Sequence, residues 1–339
     1  PNLGTTDAFG KFETGQAISG TFNVTFSKLG YQTKTIAVDL ENGVLLELEV
    51  ELAPIGSFAL TGQAVRSADG QPVPGAKILA VGDIFNYEAT ADASGNFAFS
   101  EVVEDTYTIY AGAWGYQYAQ VDDVVLSGNT TVTIELAEGY QDDFFFDYGW
   151  TTDYEGATAG FWELGEPIPT TNQGAFVSPD GDYPNDLGTQ CYTTGIGGGQ
   201  PGNFDVDDGK VILTSPPMDL TGYENPILTG DFWFFNGGPF GQPNDYFSIR
   251  VSNGTDEVEL YNITSSLSFW RPLNETMLID YISLTDNVRL IFETADDAAN
   301  GNWVEAAVDH ILVEEGEPIN SLDDLSAQSR VKVFPNPFG

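Results

Sequence analysis

The chain has 339 residues, with 51 Asp and Glu against 11 Lys and Arg and a formal net charge of −40, which argues against nucleic acid and anionic membrane surfaces as partners because both would repel it at long range. Its residues are 41% hydrophobic and 13% aromatic, enough for packed cores, so the charge alone does not make it a disordered chain. Cys191 and His310 are the only ones of their kinds, which excludes intrachain disulfides, cysteine-based metal sites and multi-histidine zinc sites, and no apolar run approaches the ~18 residues of a membrane span.

The chain starts at Pro1 without Met and inside a repeat, which predicts a processed or trimmed piece of something longer. TTDAFGKF at Thr5 to Phe12 matches TADASGNF at Thr90 to Phe97, and the same offset of 85 residues pairs Thr21 with Thr106, Gly30-Tyr31 with Gly115-Tyr116, and Gly43 with Gly128. Two copies of one domain are expected, a partial one over residues 1–54 and a complete one over 55–139. Short alternating runs such as Thr106 to Tyr110 and Thr131 to Leu136, punctuated by Gly, Asn and Asp, read as strands and turns without helical periodicity.

In the second copy, Gly62, Gly70, Pro72, Val73, Gly75 and Ala76, followed by Asp92, Gly95, Phe97, Tyr107, Gly115 and Tyr116, resemble the carboxypeptidase regulatory-like domain. The resemblance implies a transthyretin-type or Ig-like β-sandwich. It also implies a role as spacer or folding support beside a catalytic or adhesive domain.

From Tyr140 the composition changes to long Gly, Asn and Asp loops between aromatic strands, and residues 140–314 predict a larger antiparallel jelly-roll sandwich. The fold class is therefore all-β: tandem small sandwiches followed by a jelly roll. Phe247, Ile249 and Val251 alternate with Ser248, Arg250 and Ser252, and Val288, Leu290 and Phe292 with Arg289 and Glu293. In the last strand, period two puts Glu305, Ala307 and Asp309 on one face and Val304, Ala306, Val308 and Leu312 on the other, with His310 on the apolar side.

Acidic residues cluster in this region. GNFDVDDGK places Asp205, Asp207 and Asp208 in one Gly-rich loop, and no Lys or Arg occurs from Ile78 to Gly209 although that span holds 23 Asp and Glu. The neutralising charge cannot be a sequence neighbour. Hard oxygen ligands at close spacing suit calcium better than zinc, and a solvated acidic loop is the other reading. Clustering nominates Asp143, Asp182, Asp186, Asp205, Asp207, Asp208, Glu305 and Asp309 as metal ligands, with a structural calcium as the expected cofactor. Trp150, Trp162, Trp233 and Trp270 are candidates for stacking on sugar rings, with core packing as the alternative.

The series DDFFFDYGW, GFWELGEP, PDGDYPNDLGTQCYTTG, NFDVDDGK, LTSPPMDL and VEAAVD resembles the jelly-roll, MAM-like or lectin-like domains that follow the catalytic domain of secreted bacterial metallopeptidases. That resemblance implies structural calcium and, in some such domains, glycan binding. Residues 315–330 read as a polar linker. The closing VKVFPNPFG, with Val331, Val333, Phe334, Pro335, Asn336 and Pro337, resembles the start of the type A sorting domain of the type IX secretion system over residues 331–339. It implies export to the surface or medium, with the secretion machinery as a partner.

The expected role is a non-catalytic accessory region of a secreted or cell-surface bacterial protein, behind an upstream catalytic domain of zinc carboxypeptidase type. The rival readings are a calcium-dependent glycan-binding adhesin and a carboxylate-based hydrolase using pairs such as Glu163 with Asp182 or Glu305 with Asp309.

Overall fold

The computed structural model describes residues 3–238, 243–296 and 301–316. The linker beyond Gly316 and the sorting motif at Val331, Val333, Phe334, Pro335, Asn336 and Pro337 lie outside the described residues. Among the described residues every regular element is a strand except one 3-10 turn at Leu278–Asp280, so the all-β expectation holds. No helix there is long and apolar enough to cross a membrane.

The first copy contributes one antiparallel hairpin, β1 (Gly20–Phe26) and β2 (Lys34–Leu40). The second is a complete small sandwich of β3 (Ser57–Arg66), β4 (Lys77–Val81), β5 (Asn86–Thr90), β6 (Asn96–Val103), β7 (Asp105–Gly112), β8 (Ala119–Leu126) and β9 (Thr130–Leu136). Its sheets, ordered β6-β3-β9 and β5-β4-β7-β8, enclose a core that includes Leu60, Ile78, Phe97, Tyr107, Ile109 and Leu126.

The repeat extends to individual hydrogen bonds. Asp7 Oδ1 accepts from the N–H of Phe9 at 2.9 Å and of Lys11 at 2.8 Å. Asp92 Oδ1, 85 residues on, accepts from Ser94 at 2.8 Å and Asn96 at 2.9 Å. Gly10 and Gly95 close the two turns at φ 77° and 74°, a region glycine enters without steric cost. β1 and β2 likewise precede β7 and β8 by the repeat length. The likeness stops where β3 is needed. β6 and β9 both pair with β3, whereas the residues 85 positions before each, 11–18 and 45–51, form no strand. Apolar side chains there stay in solvent, with Phe9 88% and Leu45 82% exposed.

The larger sandwich comprises β10 (Tyr140–Asp142), β11 (Thr151–Glu155), β12 (Trp162–Gly165), β13 (Thr171–Asn172), β14 (Ala175–Phe176), β15 (Cys191–Thr194) and β16 (Lys210–Thr214). It continues with β17 (Pro226–Gly237), β18 (Tyr246–Ser252), β19 (Glu257–Ile263), β20 (Leu267–Pro272), β21 (Thr276–Met277), β22 (Arg289–Ala295) and β23 (Trp303–Glu315). One sheet runs β12-β15-β23-β17-β20, with β10 added to β23 and β21 to β17; the other runs β11-β16-β22-β18-β19. Between β15 and β18 each successive strand changes sheet, as in a jelly roll. Phe247, Ile249 and Val251 of β18 and Leu290 and Phe292 of β22 are fully buried against Phe234, Val304 and Val308 of the facing sheet. The polar alternates of β18 and β22 instead form an ion-pair ladder: Glu293, only 5% exposed, takes Arg250 at 2.8 Å, Lys210 at 3.5 Å and the Tyr246 hydroxyl at 2.7 Å.

The period-two reading of β23 holds only as far as Asp309. Val304, Ala306 and Val308 face the core, but His310 takes φ 51°, and the pairing with β17 slips between Thr229 and Asp231. This one-residue bulge reverses the alternation. Beyond it Ile311 and Val313 point inward, and Leu312, expected on the apolar face, is half-buried on the other. His310 is not a core residue either: its ring stacks on Tyr183 at 5.2 Å, and its Nδ1 lies 3.2 Å from Asp231 Oδ2.

No flexible segment separates the small and large sandwiches. Trp114 Nε1 donates to Pro217 O at 2.7 Å, Gln117 Nε2 donates to Glu314 Oε2 at 3.0 Å, and the Tyr118 hydroxyl donates to Asp142 Oδ1 at 3.2 Å. Tyr118 also stacks on Tyr148, and Trp114 meets Tyr140 and Trp150 edge-on.

Candidate metal centres

The outer face of the β15, β17 and β23 sheet is covered by the chain between β12 and β15. Cys191, Trp233 and Ala307 form a buried patch on that face, with Phe176 of the β13-β14 hairpin packed onto it. Trp233 Nε1 donates to Val177 O at 2.8 Å, and Thr170 and Ser178 exchange hydrogen bonds through backbone N–H and hydroxyl groups. The small Ala307 side chain leaves room for this covering segment.

The covering segment carries Asp182 and Asp186 to Asp309. Each of the three offers a carboxylate oxygen, and these oxygens all lie within 4.8 Å of one another. Two oxygens on one calcium ion are at most ~5 Å apart, so the spacing fits a shared ion. Asp309, wholly buried, accepts from the N–H of Tyr183 at 3.0 Å and of His310 at 2.8 Å. Asp182 Oδ2 and Asp186 Oδ2 are buried atoms without a hydrogen-bond partner. Asp143, 1% exposed, stands beside them and accepts from Leu187 N–H at 3.2 Å.

The electrostatics follow from burial and like charge. Burial, with the charges of Asp143 and Asp182, pushes the Asp186 carboxyl up to about 7. Asp309 is held well above the usual carboxylate range by burial and by Asp186. Burial also raises Asp143 and Asp182. His310 is raised, chiefly by its hydrogen bond to Asp231 and further by the charges of Asp143, Asp231 and Asp186. Uncompensated carboxylates enclosed in this way are costly unless protonated or coordinated.

Asp205 and Glu305 belong to a separate place at the other end of β23. Val206 N–H donates to Val304 O at 2.9 Å, which docks the Asp205 loop on the strand. Asp207 and Asp208 diverge from them: Asp207 is half-buried, and Asp208, exposed and at φ 64°, accepts from the Thr158 hydroxyl at 3.0 Å. The eight nominated carboxylates thus form one group around Asp309, one pair at Glu305, and two residues on the loop surface.

Trp150, Trp162 and Trp233 are buried at 7%, 4% and 3% exposure, which removes them as sugar platforms; Trp270 is half-buried. Of the suggested hydrolase pairs, Glu163 is exposed and accepts from Ile196 N–H at 3.1 Å, whereas Glu305 and Asp309 are enclosed. The sequence did not point to Asp142, whose carboxylate is wholly buried and takes Trp150 Nε1 at 2.7 Å and Phe144 N–H at 2.8 Å. Nor did it point to Asp231, which reaches His310 only through strand pairing. At the edge of the opposite sheet Tyr154 and Phe161 are exposed, with ring centroids 4.9 Å apart; a separate open cavity of about 480 Å³ is lined by Glu155, Lys210, Asn244, Asp245, Tyr246 and Asp296.

Residues 59–137 match the carboxypeptidase regulatory-like domain family, as the motifs of the second copy imply. Among curated proteins, Bacillopeptidase F of Bacillus subtilis (strain 168) is 29% identical over 133 residues, 39% of this chain and 9% of that protein. The chain therefore spans less than a tenth of the length of that relative. Among solved structures, a family 11 carbohydrate-binding module of a Clostridium thermocellum cellulosomal cellulase is 16% identical with a TM-score of 0.31, covering 54% of this chain and 98% of that one. A protein from a xyloglucan utilization locus of Bacteroides uniformis is 10% identical with a TM-score of 0.29, covering 92% and 85%. At such scores the ligands of those proteins remain properties of those proteins.

Proposed function

We propose that this chain is a non-catalytic accessory region of an exported bacterial protein, in which a calcium ion held by Asp182, Asp186 and Asp309 clamps the covering segment onto the larger sandwich. The observation that carries the reading is the convergence of three carboxylate oxygens within 4.8 Å, two of whose residues leave buried oxygens without a donor. Acceptor-only oxygens call for a hard cation. The second sandwich serves as a rigid mount, because its aromatic residues and Gln117 bind it directly to the larger domain. The V-K-V-F-P-N-P sequence at Val331 to Pro337 supports delivery by the type IX secretion machinery, and an upstream catalytic domain remains the expected cargo.

Calorimetric titration of the metal-stripped chain with calcium tests the clamp. Binding heat in the wild type that falls by one equivalent of calcium in Asp309→Asn supports it, and an unchanged titration in that variant sinks it.

Attachment to glycan is the second reading, favoured by the exposed Tyr154 and Phe161 rings, which meet edge to face at 4.9 Å. Sugar recognition pairs an aromatic face with hydrogen-bonding side chains. A glycan array with and without calcium examines it, and Tyr154→Ala should abolish any sugar retained; retention by that variant would remove this surface from the argument.

A further inference from the structure

Glu305 and Asp205 are charged groups enclosed without a partner of opposite sign. Glu305 is 1% exposed and Asp205 2%. Glu305 Oε2 accepts the Thr194 hydroxyl at 3.0 Å, but Glu305 Oε1 and Asp205 Oδ1 have no hydrogen-bond partner. The bond from Val206 N–H to Val304 O brings the Asp205 loop beside Glu305, which feels the Asp205 charge, while Asp205 feels those of Asp207 and Asp296.

The backbone around them is built for close approach. Gly160 sits at φ 65°, and a Cβ there would fall 2.3 Å from Val206 N and 2.5 Å from Asp205 O. Any side chain at that position would lift the Asp205 loop off β23. Thr194, fully buried, is itself fixed by Ala306 N–H, which donates to its Oγ1 at 2.8 Å. The Glu305 carboxylate is therefore fixed at Oε2 by a hydroxyl that is itself held in place, and Oε1 is left free.

The surroundings offer acceptors rather than donors. Asn236 Oδ1 on β17, opposite Val304, and Asn302 Oδ1, just before β23, are also buried without a partner, on the Val304 side of the sheet. Their amide groups cannot simply turn round, because Asn236 Nδ2 donates to Asp245 O at 2.8 Å and Asn302 Nδ2 to Asp245 Oδ2 at 3.0 Å. Turning either amide would set oxygen against oxygen. Lys210, the next cation along the chain, is engaged by Glu155 at 3.2 Å and Glu293 at 3.5 Å. Unmatched acceptors at this density in a protein interior point to something positive that they share.

We infer that Asp205 and Glu305 bind a second divalent cation of the calcium class, at a site distinct from the Asp309 cluster and independent of its occupancy. Carboxylate oxygens without nitrogen or sulfur donors select a hard ion, and the enclosed pair supplies two negative charges to match it. The ion fastens the Gly202 to Gly209 loop to the start of β23, as the first ion fastens the Asp182 segment to its middle. The loop that concentrates Asp205, Asp207 and Asp208 in sequence thus contributes one interior ligand, with Glu305 as the partner from the far end of the chain.

Native mass spectrometry of the full chain, stripped of metal and then returned to calcium, tests this by stoichiometry. The wild type should hold two ions, Glu305→Gln one, Asp309→Asn one, and the double variant none. Should Glu305→Gln fold poorly, Asp205→Asn takes its place with the same expected count. If Glu305→Gln and Asp205→Asn bind as many ions as the wild type, the pair is neutralised by a proton and the inference fails. Failure of the first site alone reads differently: one ion in the wild type, kept by Asp309→Asn and lost from Glu305→Gln.

Discussion

Withdrawing calcium should lower the melting temperature of the larger sandwich near neutral pH, and lowering the pH should erase most of the difference. The perturbation is dialysis against EDTA followed by return of calcium to about 100 times its dissociation constant, which adds ~2.7 kcal/mol for one site. For a domain of this size each kcal/mol moves the transition by about 2–4 °C, so one clamp corresponds to ~5–10 °C. The carboxylates set the scale on the other side. Asp186 at about 7 instead of the ordinary 3.8 corresponds to ~4 kcal/mol for a fully enclosed group, and roughly half of that is expected because Asp186 is partly open to solvent.

The sign follows from linkage. A carboxyl raised on folding leaves the native state binding more protons than the unfolded one between about pH 4 and 7, so the metal-free protein loses stability as pH rises through that window. Calcium relieves this loss above the window and is displaced by protons within it. Differential scanning calorimetry near pH 7.5 and pH 5 should thus show a large calcium increment at the first and a small one at the second. Asp309→Asn should remove this site's share of the increment. Equal melting temperatures with EDTA and with calcium near pH 7.5, in protein shown by elemental analysis to carry no metal, would refute the reasoning.

Three further outcomes are expected. His310 is the only histidine, so its ring resonance reports one group: its midpoint should lie above the ordinary value because of Asp231 and the nearby carboxylates, and calcium should move it down, which an NMR titration reads directly. Trp114→Ala removes the indole that bonds Pro217 and packs on Tyr140 and Trp150; a loss of about 2–4 kcal/mol at the junction should resolve one calorimetric transition into two. Gly160→Ala forces a Cβ into the Asp205 loop and should cost at least ~2 kcal/mol by chemical denaturation, whereas Gly222→Ala, with open space around its Cβ and no positive φ, should cost less than about 1 kcal/mol.

Most of the strand architecture was legible because burial here is one-sided: β18 and β22 alternate cleanly, and the Asp7 and Asp92 turns recur with the same hydrogen bonds. What period two could not reveal was the extra residue at His310. A bulge depends on the partner strand, which is distant in sequence, and it carried the histidine from the apolar side to Asp231 and Tyr183. The acidic candidates were readable as a population, since an interior rich in carboxylates and poor in Lys or Arg announces itself by composition. Their grouping was not: Asp309 meets Asp182 and Asp186 across more than 120 residues, while of the two acidic residues that follow Asp205 in its loop Asp207 is half-buried and Asp208 exposed. The tryptophans were ambiguous for the same reason, since nothing local distinguishes a ring that plugs a core from one laid open for a sugar.

Because β10 lies antiparallel against the last turns of β23, with Tyr140 opposite Val313, the polypeptide comes back out of the larger sandwich one strand spacing, about 5 Å, from where it went in. The sandwich is accordingly a pendant on the chain rather than a link within it. Lengthening or trimming its far loops changes how far it reaches from the array, yet leaves the path of the main chain past the second module unaltered. Gln117 bonds to Glu314 at that point of return, so whatever follows Gly316 sets out from beside the regulatory-like module, as though the whole sandwich had been spliced into a loop of it.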